Sequence, residues 1–96
     1  MLIFLAFYKL FLHLFMNAWI KRNNGPDEVV SVIHDTQCED AALVYNLYTA
    51  FEADFLGRIL FDEQGFWIYD GNDLTVAEQE QLGKFIQYNM EVLWSS

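Results

Sequence analysis

A chain of 96 residues fits a single domain with one modest core, and an apolar fraction of 54% against 20% charged excludes intrinsic disorder for most of it. The formal net charge of −9 argues against direct nucleic-acid binding, which needs clustered lysine and arginine. A single cysteine, Cys38, excludes an intramolecular disulfide and a cysteine zinc cluster.

The charge is unevenly spread. Lys9, Lys21 and Arg22 precede Pro26, where no acid occurs, and all fourteen acids follow it against only Arg58 and Lys84. Nine Phe, five Tyr and three Trp supply more aromatic area than folding a chain of this length requires.

Residues 1–20 are apolar with few interruptions and approach the length of a membrane-spanning helix, about 20 residues. Lys9, His13, Asn17 and Lys21 recur every fourth residue, which would align them as one polar stripe on a helix. Three placements stay open for such a helix over 1–22: packed on the domain, lying in a membrane interface, or spanning. Met16 is a second candidate start. Asn23-Asn24-Gly25-Pro26 is the strongest break in the chain and divides this helix from a small acidic domain over 23–96.

Pro26, Asp27 and Glu28 suit a helix first turn leading into Val29, Val30, Val32 and Ile33, although the β-branched density also suits a strand. Thr36 and Glu39 have the spacing of a capping box, and Ala41, Val44, Tyr45, Tyr48, Phe51 and Phe55 trace a helical stripe behind it. This spacing predicts a helix over about 37–55, ended by Gly57. The β-rich runs 58–62 and 66–70 then read as a hairpin. Thr75 and Glu78 form a second capping box, which opens a helix with Leu82, Phe85, Ile86, Met90 and Leu93 on its buried side. The fold expected is α+β, a helix-rich small domain with one β-hairpin in the order α-α-α-β-β-α.

The candidates for chemistry are thin. His34 and Asp35 form an adjacent histidine–carboxylate pair with Cys38 four residues on, but the predicted helix restart at Thr36 removes their alignment. Counting a calcium loop from Asp70 puts Leu74, Thr75 and Gln81 where an oxygen ligand, glycine and glutamate are required. No Walker loop, dinucleotide glycine motif or nucleophile elbow occurs. The chain therefore reads as non-enzymatic, with no cofactor, metal or catalytic residue assigned.

What remains is protein binding. An acidic domain suits a partner protein with a basic surface, as regulator or inhibitor, and in bulk properties the chain resembles small acidic inhibitor proteins. The contact is expected on the hairpin. With a four-residue loop at 62–65, Leu60 shares a face with Trp67 and Tyr69, flanked by Asp62 and Asp70, while Ile59, Phe61, Phe66 and Ile68 share the other. The same face could serve self-association. The alternative is a membrane-associated accessory subunit held by residues 1–20. Either reading implies a cytoplasmic acidic domain, membrane-associated in the second.

Overall fold

The computed structural model describes residues 15–36 and 43–95. Five strands, β1 (Phe15–Ile20), β2 (Glu28–His34), β3 (Leu43–Thr49), β4 (Phe55–Phe61) and β5 (Trp67–Asp70), are followed by one helix, α1 (Val76–Ser95). The strands form one antiparallel sheet in the order β1-β2-β3-β4-β5, so each pairs with its neighbours in the chain. Among the described residues no helix is long and apolar enough to cross a membrane.

This corrects the helix-rich expectation. Residues 15–20, expected to end an N-terminal helix, form β1 with strict alternation. Met16, Ala18 and Ile20 are buried and Phe15, Asn17 and Trp19 exposed. That alternation is the period of a strand with one covered face. Asn17 sits opposite Ser31, and the Ser31 hydroxyl donates to its Oδ1 at 3.3 Å. Lys9 and His13 lie outside the described residues, so the polar stripe is tested only at Asn17 and Lys21. Asn17 is in β1 and Lys21 follows it outside any helix.

The second expected helix is β2, where Val30 and Val32 are fully buried and the β-branched run takes the conformation that suits its restricted χ1 rotamers. Of the third, over 37–55, the described residues begin at Leu43 and form β3 and the turn into β4, and residues 37–42 lie outside the described residues. Both faces of β3 carry apolar side chains: Tyr45 and Leu47 on one, Val44 and Tyr48 on the other. Picking from two apolar faces of a strand produces i, i+3 and i+4 coincidences that imitate a helical stripe. Cys38 and Glu39 lie outside the described residues. Gly57, expected to cap that helix, sits inside β4 at φ +112°, where a Cβ would come within 2.7 Å of the Tyr69 ring. Only glycine holds that conformation and that space together.

The core lies between the sheet and α1. Leu82 and Ile86, one turn apart, are fully buried against Ile20, Val30, Val32, Leu47, Ile59 and Phe61. Each such side chain stabilises the fold by roughly 1.5–3 kcal/mol on the transfer scale. Tyr45 and Phe61 add an edge-to-face contact at 6.0 Å and 87°. The helix passes so close to β5 that a Cβ at Gly83 would strike the Trp67 indole. Met90 and Leu93, expected on the same stripe, have side chains outside the described residues.

The hairpin stands, with a different register. Asp62 N donates to Phe66 O at 2.8 Å and Gly65 turns at φ +89°, giving a three-residue loop, Glu63–Gly65. An odd loop pairs Phe61 with Trp67, Leu60 with Ile68 and Ile59 with Tyr69. The four-residue loop read from sequence would have shifted every pair and exchanged the faces of β5.

Candidate functional site

One end of the sheet gathers three segments: the turn from β1 to β2, the turn from β3 to β4, and the start of α1. The helix start is built by the capping box expected from sequence. Thr75 N donates to Glu78 Oε1 at 2.8 Å, and Glu78 N donates to Thr75 Oγ1 at 3.2 Å. Glu78 also faces inward, where its second oxygen accepts from Arg22 Nε at 2.7 Å and Asn23 N at 3.3 Å. Its side chain is only 3% exposed. Burial alone would raise its pKa. The Thr75 amide and hydroxyl, the Asn23 amide and the Arg22 charge outweigh burial and hold it below the ordinary 4.5.

Arg22 completes the hub, donating through Nη1 to Glu28 Oε1 at 2.8 Å. The turn is clamped to α1 at the next residue as well. Lys21 N donates to Gln81 Oε1 at 2.7 Å, and Gln81 Nε2 donates back to Lys21 O at 2.9 Å. A carboxylate, a guanidinium and a reciprocal amide pair thus join segments that lie 55–60 residues apart in the chain.

Above this hub opens a cleft of about 710 Å³, within the size range of ligand sites. Its apolar rim is Trp19, Val29 and Phe51. Sheet pairing brings them together, since Trp19 lies opposite Val29, and Val29 O accepts from Ala50 N at 3.0 Å, next to Phe51. Trp19 is 74% exposed and Phe51 90%. The turn carrying Phe51 is held by Asp54 N donating to Thr49 Oγ1 at 2.9 Å and by Ala53 at φ +58°. Asp27, Glu28, Asp73 and Glu78 supply the acidic part of the lining, against Arg22 as its cation. Asp27 and Asp73 make no side-chain bond among the described residues, whereas Glu28 and Glu78 are bonded to Arg22.

The sequence-predicted contact residues do not share a surface. Trp67 and Tyr69 pack against the core on the α1 side of the sheet, while Leu60 pairs with Ile68 on the opposite face. The Tyr69 hydroxyl donates to Leu56 O and accepts from Asp73 N. Asp62 shapes the hairpin loop, its Oδ1 accepting from Gln64 N at 2.9 Å and Phe66 N at 3.0 Å. Asp70 bridges to Arg58 Nε at 2.9 Å. Of the large apolar side chains in 58–70, it is Phe66 and Ile68 that stand in solvent.

His34 lies half-buried on β2 with its ring 5.2 Å from Tyr45. Burial lowers its pKa below 6.5, against an opposing effect of Asp35. Asp35 is engaged locally, its N–H donating to Val44 O at 2.8 Å and its Oδ2 accepting from Asn46 Nδ2 at 3.4 Å. Cys38 lies outside the described residues. Among the described residues no three His, Cys, Asp or Glu are grouped to hold a metal ion.

Sequence reasoning missed Trp19 and Phe51 because each was assigned to a helix. The alternation of 15–20 was a usable signal for Trp19, but Phe51 carried none beyond its place before an acidic turn. Comparison of the chain with family models, curated proteins and solved structures gives no match.

Proposed function

We propose that this protein is a non-enzymatic binding module that occupies a basic surface of a partner protein, acting as its regulator or inhibitor, and that it does so through the cleft end of the sheet. The observation that carries this reading is the pair of exposed rings, Trp19 and Phe51, lining one cleft with Asp27 and Asp73, whose carboxylates have no side-chain partner among the described residues. Aromatic side chains bury large areas on binding at low entropic cost, which makes them frequent anchors of protein contacts. The net charge of −9 adds long-range attraction to a basic partner and repulsion from phosphate backbones. A single cysteine agrees with a cytoplasmic setting.

The test is kinetic. Partners recovered by cross-linking to the full chain are measured against wild type, a Trp19→Ala/Phe51→Ala variant and a Phe66→Ala variant, as salt rises from low to physiological strength. The reading expects an on-rate that falls with salt, loss of binding in the double variant and retention in the Phe66 variant. A salt-independent on-rate, or equal affinity for the double variant, overturns it.

A further inference from the structure

We infer that the side chain received by the cleft is arginine, presented on an exposed segment of the partner, with its guanidinium stacked on the aromatic rim and hydrogen-bonded to the carboxylates of Asp27 and Asp73. This deepens the proposed function and rests on it.

The floor of the cleft decides the sign of the ligand. Arg22 is the cation lining it, and both Nε and Nη1 are already committed to Glu78 and Glu28. An anionic ligand would meet a neutralised guanidinium and unneutralised carboxylates around it. A cationic ligand meets Asp27 and Asp73, which have no side-chain partner among the described residues.

The rim decides between the two cationic side chains. Trp19 and Phe51 present exposed ring surface, which attracts a cation through the ring quadrupole. A guanidinium is planar and weakly hydrated, so it can lie on a ring while its N–H groups reach carboxylates in the ring plane's periphery. An ammonium is compact and strongly hydrated, and gives up more on leaving water for an aromatic surface. A cleft of about 710 Å³ exceeds one side chain, so neighbouring residues of the partner segment enter with it.

Two capped peptides serve as probes, identical Gly-Ser frames that carry arginine or lysine at the same two positions. Each is titrated into the full-length protein while NMR follows the indole N–H of Trp19 and the amides of Val29 and Phe51. The arginine peptide is expected to shift these signals with an affinity about tenfold above that of the lysine peptide. Trp19→Ala and Asp27→Asn/Asp73→Asn should each weaken it by about tenfold. All these positions are exposed, and the unfolding midpoint of each variant verifies that the fold is kept. Equal affinities for both peptides at the cleft overturn the arginine assignment and leave the basic-partner reading standing. If neither peptide moves the cleft signals, both fail.

Discussion

Replacing Glu78 by glutamine keeps the shape of the side chain and removes its charge where the helix start meets the first turn of the sheet. The amide oxygen can still accept from Thr75 N, but the amide nitrogen then faces Arg22 Nε and Asn23 N, a donor against two donors. Removing one partner of a buried ion pair costs about 3–5 kcal/mol, and Arg22, at 23% exposed, is partly solvated. We therefore expect a loss of about 3 kcal/mol in urea unfolding near neutral pH. With roughly 4–8 °C per kcal/mol for a domain of this size, Tm should fall by more than about 10 °C.

The pH dependence supplies a second arm of the same experiment. Because the folded pKa of Glu78 lies below 4.5, the unfolded chain binds its proton first on acidification. The stabilisation is complete above 4.5 and is lost as pH falls through the folded value. The gap between wild type and Glu78→Gln should therefore narrow on going from pH 7 into that acidic range, since protonated Glu78 resembles glutamine. Circular dichroism melts of both proteins across this range measure it. A loss under about 1 kcal/mol at pH 7, or a gap that widens in acid, would refute the account of the hub.

Three further outcomes follow from the packing. Gly83→Ala should destabilise by about 1–3 kcal/mol in denaturant unfolding, because its methyl meets the Trp67 indole, and adding Trp67→Leu should recover part of the loss. Ile20→Ala should cost about 2–5 kcal/mol by the same assay, as expected of a fully buried side chain on a strand that belongs to the core. Burial raises the Tyr45 pKa above 10, so its contribution holds below 10 and is lost as pH rises through the folded value; Tyr45→Phe should flatten that alkaline loss in pH-dependent melts.

The C-terminal half was largely legible in the sequence. The Thr75–Glu78 box, the Leu82–Ile86 stripe and the two runs of the last hairpin carry signals that depend on local chemistry, and each lies where that chemistry puts it. In the N-terminal half two strands were misread for a common reason. Strands β2 and β3 carry apolar residues on both faces, which erases the two-residue alternation and leaves helical spacings by coincidence. Strand β1 did alternate, but the longer apolar run before it outweighed six residues of pattern. The register of β4 and β5 turned on one residue of loop length, a choice set by Gly65 taking a positive φ. The cleft was illegible because it is made by pairing: Trp19, Val29 and Phe51 meet only once three strands and two turns are in register.

The order in which the strands pair has a kinetic consequence. Every ladder joins neighbours along the chain, so the sheet can grow hairpin by hairpin with short loops to close, the arrangement of low contact order. The clamp of Lys21 on Gln81 is different, closing 60 residues at once. Loop-closure entropy makes such a contact unfavourable until the intervening chain is ordered. The helix should therefore dock after the meander has zipped, and the floor of the cleft, which needs both, should be the last part of the molecule to form. A ligand held there would bind only the finished protein and would slow the release of α1, so occupancy and resistance to unfolding would rise together.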